Sequence, residues 1–84
     1  MQIESILEEL TAIVRGVFER RDLEVTGRTS AGDVPGWDSF KMIEILMEVE
    51  KRYSVTFDTR DMDAVNTVGD LALRIKDKVE FQQI

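Results

Sequence analysis

Near the amino end, Ile3, Ile6, Leu7, Leu10, Ile13, Val14, Val17 and Phe18 recur at intervals of three and four. That spacing gathers them on one stripe of an α-helix and is incompatible with the strict alternation of a half-buried strand. An apolar stripe of this length must be covered, and in a chain of 84 residues the cover can come only from the remaining segments. The chain is too short to divide its apolar residues between two cores, so residues 1–84 are expected to form a single domain. Ser5 with Glu8 has the form of a capping box, although Ile3 extends the stripe and puts the start a residue or two earlier.

Thr26 to Gly36 collects Gly27, Thr29, Ser30, Gly32, Pro35 and Gly36, which predicts a long loop. Asp38 and Ser39 then offer adjacent caps to a second helix through Tyr53. On its wheel Met42, Leu46, Val49 and Tyr53 form the innermost line, flanked by Ile45, and Phe40, Ile43 and Met47 form a separate line. An arc this broad is seldom buried completely in a small bundle, so part of the second line is expected at the surface. Val55 and Phe57 predict a short extended link, and Asp58 to Ala64 a turn or two of helix capped by Asp58 or Thr59. Thr67 with Asp70 opens a last helix whose apolar face is Val68, Leu71, Ala72, Ile75 and Val79. Lys76 and Lys78 are expected near its carboxyl end, where cations interact favourably with the helix dipole, and Phe81 to Ile84 to fray. Arg20 and Arg21 are expected to end the first helix in the same favourable way.

The predicted fold is all-α: a small four-helix bundle of three main helices and one short one, with a long loop between the first and second. Its core is small, so its stability should be modest. No repeat, secretory signal or spanning apolar run is visible, and a cytoplasmic monomer is the expectation.

Composition narrows the chemistry. There is no cysteine and no histidine, which removes disulfides, thiolate metal sites and the commonest general base. A small enzyme would lack a base, a metal cluster and a nucleophile pair. The 17 acidic residues outnumber 11 basic ones for a formal charge of −6, which opposes nucleic acid and anionic membrane and favours proteins with basic docking surfaces. Asp58, Asp61 and Asp63 lack the glycine and terminal glutamate of a calcium loop and are expected to be a solvated capping cluster, so no metal site is expected.

Asp33-Val34-Pro35-Gly36-Trp37-Asp38-Ser39-Phe40 resembles the attachment motif of acyl and peptidyl carrier proteins, in which Asp-Ser-Leu or a close variant opens the second helix. The resemblance continues through Glu44-Ile45-Leu46, Glu50 to Phe57 and Thr67-Val68-Gly69-Asp70-Leu71, and covers nearly the whole chain, at a length that suits a free-standing carrier. It implies a non-catalytic carrier. A phosphopantetheinyl transferase would move 4′-phosphopantetheine from coenzyme A onto Ser39, and the arm's thiol would hold cargo as a thioester. The absent cysteine and histidine then make sense, because sulfur and catalytic groups belong to the arm and to partner enzymes. A helix amino end suits the phosphodiester, since unpaired backbone N–H groups and the helix dipole favour negative charge.

Read from its own neighbourhood alone, Ser39 is a helix cap worth around 1 kcal/mol. Asp38 can cap the helix, and the resemblance adds a part in helping the transferase bind magnesium. Phe40, Ile43 and Met47 would be the apolar part of a partner-facing surface, with Glu44 and Glu48 as its acidic part. The alternative makes them ordinary core and solvated-face residues. Glu44 and Glu48 repel across one turn, and Glu48 with Arg52 offsets a similar amount, a few tenths of a kcal/mol. Lys41, Lys51 and Arg52 nearly balance Asp38, Glu44, Glu48 and Glu50, a departure from the family's strongly acidic second helix that argues against recognition by generic fatty-acid enzymes. Trp37 is expected to be a loop-packing aromatic. The expected partners are the transferase, an acyl- or aminoacyl-loading enzyme and a downstream transferase or synthase of a specialised fatty-acid, polyketide, lipid or peptide pathway. Asp-Ser-Phe is also similar to D-alanyl carriers of cell-wall modification, and an unmodified helical interaction module remains the competing class.

Overall fold

The computed structural model describes residues 2–82 and contains four helices: α1 Ile3–Phe18, α2 Ser39–Tyr53, α3 Thr59–Ala64 and α4 Val68–Gln82. This is the predicted bundle. Its core is built from Ile6, Leu10 and Val14 of α1, Ile45 and Val49 of α2, and Leu71, Ala72 and Ile75 of α4, all essentially inaccessible. The stripes of α1 and α4 are the predicted ones, with Val79 partly buried at the edge. On α2 the innermost line shifts. Ile45, Leu46 and Val49 are buried, whereas Met42 and Tyr53 are only half-buried. Packing against α1 turns the helix toward Ile45, and Tyr53 carries its hydroxyl out to donate to Glu9 of α1.

Arg52 also reaches Glu9, at 3.6 Å, rather than pairing with Glu48, which takes Lys51 at 3.2 Å instead. The α1–α2 tie therefore has a polar end. Burial pushes the Tyr53 hydroxyl well above its ordinary range, and the Glu9 carboxylate it bonds adds to the shift. Tyr53→Phe is expected to lose about 1 kcal/mol, the net worth of one such hydrogen bond, read as a lower urea midpoint at unchanged slope.

The helix ends differ from expectation where the backbone, not a side chain, does the capping. Gln2 precedes α1 with no side-chain cap, so Ser5 and Glu8 lie inside the helix. At the other end Glu19 adopts a left-handed conformation (φ 56°), and the N–H groups of Glu19 and Arg20 close onto the carbonyls of Gly16 and Arg15. The cation in the last turn is Arg15; Arg20 and Arg21 lie beyond the helix, and Arg20 pairs with Asp22 at 3.1 Å. α4 runs on through Phe81, which is helical rather than frayed, while Gln83 and Ile84 lie outside the described residues. That extension leaves Lys76 and Lys78 short of the last turn. Each finds a carboxylate instead, Lys76 with Glu80 at 2.8 Å and Lys78 with Asp61 at 2.9 Å.

The segment from Thr26 to Gly36 is a loop with internal order. Ser30 and Asp33 cap each other around one 3₁₀ turn, Ala31–Asp33, and the Thr29 hydroxyl accepts from the Thr26 N–H at 2.9 Å. The loop is also stitched to the start of α4: Val68 N–H donates to the Thr29 carbonyl at 2.8 Å and Gly69 N–H to the Gly27 carbonyl at 2.9 Å. Asp70 N–H goes to the Thr67 hydroxyl, while the Asp70 carboxylate takes the Thr67 N–H, both at 3.1 Å. Loop carbonyls and one reciprocal cap thus satisfy the N–H groups that open α4. Just past the loop's far end the Trp37 N–H donates to the Val34 carbonyl at 3.1 Å, just before α2 begins.

The extended link at Val55 to Phe57 buries Val55, and Asp58 caps α3 by accepting the Asp61 N–H at 3.0 Å. Asp61 is not solvated as expected. It is buried at 7% exposure and ion-paired to Arg74 and Lys78 of α4, each at 2.9 Å. Asp58 and Asp63 remain exposed. Burial alone would raise the Asp61 carboxyl, but the Asp58 N–H, Lys78 and Arg74 together outweigh it and hold the group below its ordinary value. The stability this contributes is complete above the unfolded value of about 3.9 and drains away as pH falls through the lower folded value. Wild type should accordingly lose more stability than Asp61→Asn between about pH 5 and pH 3, measured as the change in urea midpoint.

Candidate functional site

Ser39 is the first residue of α2 and is exposed. The choice between the two adjacent caps is made by Asp38: its backbone is extended and its carboxylate accepts the Lys41 N–H at 3.0 Å. That leaves the Ser39 hydroxyl with no hydrogen-bond partner among the described residues. The N–H groups of Ser39 and Phe40 likewise have no acceptor there, because the ladder of α2 begins with Met42 donating to the Asp38 carbonyl at 3.0 Å. A free hydroxyl thus stands beside unpaired donors at the positive end of a helix of 15 residues.

Directly beside it lies a cavity of about 380 Å³. Leu10 and Val14 of α1, Met42 of α2, Met62 of α3 with Val65 just after it, and Val68 and Leu71 of α4 form its apolar wall. Thr29, Ser30, Asn66 and Thr67 give it a polar side. Asp38 and Ser39 are part of the lining, so the cavity meets the surface at the exposed hydroxyl. Trp37 packs on Phe18 with ring centroids 5.7 Å apart, as expected of a loop-packing aromatic, and lines the cavity as well. Its Nε1 is buried without an acceptor among the described residues.

The residues predicted to face partners lie along one side of α2. Phe40, Ile43 and Met47 are 75%, 49% and 53% exposed, far more than large apolar side chains with a core to enter. Glu44 pairs with Lys41 at 3.8 Å and Glu48 with Lys51, so the acidic part is largely offset by cations on the same helix. Glu44, Met47 and Glu48 also meet Ala12, Ile13, Gly16 and Val17 of α1 along a surface groove of about 620 Å³; Phe40 and Ile43 lie outside it.

The cavity was not visible in the sequence. Met62 and Val65, three apart around a six-residue helix, were its one local signal. The polar wall from Thr29 and Ser30 depends on the loop folding back on α4, which no short-range pattern records.

A profile described as the phosphopantetheine attachment site matches residues 8–75. The chain belongs to the acyl carrier protein family. An acyl carrier protein of Exiguobacterium is 29% identical over 79 residues, 94% of this chain and all of the relative. One from Rhodococcus erythropolis is 36% identical over 73 residues, 87% of this chain and 80% of the relative. The solution structure of holo acyl carrier protein from Geobacter metallireducens superposes with a TM-score of 0.85 at 31% identity, covering 92% of this chain and 88% of that one. The carrier bears covalently attached 4′-phosphopantetheine, the group that supplies a thiol to hold an acyl chain as a thioester. The residues on hand fit such a group: an exposed unbonded hydroxyl, unpaired N–H donors for a phosphodiester, and no competing thiol in the chain. Members of the family work with phosphopantetheinyl transferases and acyl-handling enzymes. Among the described residues no helix is long and apolar enough to cross a membrane.

Proposed function

We propose that Ser39 is the attachment residue, and that the carrier, acting as a single non-catalytic domain, lodges an apolar acyl cargo in the cavity beside it. The observation that carries this reading is the free Ser39 hydroxyl at the edge of an apolar-walled cavity. In the loading step Ser39 Oγ bonds to the phosphorus that bears the pantetheine of coenzyme A. The bond to the departing 3′-phosphoadenosine phosphate breaks, and the hydroxyl proton passes to a base of the transferase. Asp38 has two parts, fixing the first turn of α2 and offering the transferase a carboxylate for magnesium.

Phe40, Ile43 and Met47, with Glu44 and Glu48, form the face presented to the transferase, the loading enzyme and the downstream synthase. Because Lys41 and Lys51 neutralise much of its acid, apolar contact carries more of this docking than long-range charge does. The apolar wall favours an acyl chain over a D-alanyl group, whose ammonium would lose its hydration there without a carboxylate in the lining except Asp38. Incubation with coenzyme A and a broad-specificity transferase should add one arm to the intact mass. Octanoyl loading should then slow amide exchange in the cavity wall at Val68 and Leu71, and D-alanyl loading should not. A wild-type chain left unmodified, alongside a known carrier that is modified, would refute the assignment.

A further inference from the structure

α3 differs from its neighbours in what it buries. α1 and α2 bury apolar side chains, as do Val68, Leu71, Ala72 and Ile75 of α4, whereas the buried residue of α3 is Asp61. The Asp61 carboxylate faces Arg74 and Lys78 of α4, and it also accepts the Asp58 N–H at 2.9 Å. Thr56, Asp77 and Phe81 border the same surface cleft. The apolar side chains at the other side, Met62 and Val65, look onto the Ser39 cavity, with Met62 37% exposed. The short helix is therefore seated by charge on one side and borders the Ser39 cavity on the other.

We infer that the ion-pair latch of Asp61 with Arg74 and Lys78 sets how firmly α3 closes the cavity, and so how well an apolar cargo is sheltered. This rests on the proposal that cargo carried at Ser39 lodges there. A doubly paired, mostly buried carboxylate resists partial opening, because α3 must give up both charge-assisted bonds to leave α4. An acyl chain in the cavity covers Met62 and Val65 and ties the same helix from inside by removing their apolar surface from water. Latch and cargo act on one closed state, so each strengthens the hold of the other by the same factor. Asp61 is on this account a positioning residue: it is not itself part of the cavity lining and acts through its neighbour Met62, which is.

The test compares wild type, Asp61→Asn and Lys78→Gln as holo proteins, unloaded and loaded with octanoyl. Hydrogen exchange is followed at Met62 and Val65, whose N–H groups donate to the Asp58 and Met62 carbonyls at 3.2 and 3.3 Å. Amides of Leu10 and Val14 in α1 report global opening. In the unloaded protein Asp61→Asn should speed exchange at Met62 and Val65 by about tenfold or more, with the α1 amides changed less. Lys78→Gln, which leaves α3 itself intact, should give a smaller change of the same sign. Octanoyl loading should shrink the difference between wild type and Asp61→Asn, and hydroxylamine should release octanoyl faster from Asp61→Asn. If Asp61→Asn opens globally, Lys78→Gln decides alone. Equal exchange at Met62 and Val65 in wild type and the deciding variant, or no protection there in wild type, would overturn the latch. Intact mass keeps the two proposals apart: a chain that accepts no arm refutes the Ser39 assignment, whereas the unloaded exchange rates still judge the latch.

Discussion

Ser39→Ala is expected to gain no arm under conditions in which the wild-type chain gains one, and to do so without losing its fold. The second half of this expectation separates an attachment residue from a structural one. Asp38, not Ser39, accepts the Lys41 N–H and caps α2, and the Ser39 hydroxyl bonds to nothing among the described residues. Its removal should change stability by no more than about 0.5 kcal/mol, the range of exposed substitutions away from special features. Asp38→Ala should show the complementary pattern, a loss of about 1 kcal/mol for the missing cap. Ser30 is the one other serine bordering the cavity, but its hydroxyl donates to Asp33 at 3.2 Å within a capping box. An arm that still appears on Ser39→Ala, mapped to Ser30, would displace the assignment. A Ser39→Ala protein that unfolds would return Ser39 to the standing of a helix cap.

The helical stripes were legible because each is a local pattern. Ile6, Leu10, Ile13 and Val14 on α1, and Val68, Leu71, Ala72 and Ile75 on α4, are buried where their spacing put them. The Asp38-Ser39 pair was legible as a helix start, but which of the two capped was undecided until the extended backbone of Asp38 appeared. What escaped the sequence was long-range. Arg52 had Glu48 one turn away and chose Glu9 on α1, where Tyr53 already donates. Lys78 had a favourable place at a helix end and instead crosses to Asp61 on α3. Asp61 had the look of a solvated cap because the three aspartates lack the pattern of a calcium loop; Asp58 and Asp63 are indeed exposed, and only the approach of α4 buries Asp61. The cavity belongs to the same class, since α1, α2, α4 and the loop all contribute to its wall.

The glycines of the loop and of α4 give the largest stability effect expected here. In an exposed helix interior, glycine to alanine normally stabilises by about 0.5–1 kcal/mol, because the unfolded chain loses freedom and the helix gains a better former. Gly16 on α1 obeys that rule: a Cβ there would meet nothing within 4 Å, and Gly16→Ala should raise the urea midpoint. Gly69 reverses the sign. A Cβ on it would stand 2.6 Å from the Gly27 carbonyl oxygen and 3.3 Å from its carbon, and backbone atoms cannot rotate aside as a side-chain tip can. The same oxygen accepts the Gly69 N–H at 2.9 Å, so relieving the clash means lifting the loop and giving up that bond. Gly69→Ala should therefore lose about 1–3 kcal/mol, the usual range for forcing extra atoms into a close-packed contact. The displacement has a direction as well as a size. Thr29 and Ser30 follow Gly27 in the loop and line the cavity, so the Gly69→Ala protein should also show faster amide exchange at Thr29 and Val68 than its global loss accounts for. A Gly69→Ala protein as stable as wild type would mean that the loop is not held against α4 in solution. The polar wall of the cavity, and the case for cargo shelter beside Ser39, would then lose its support.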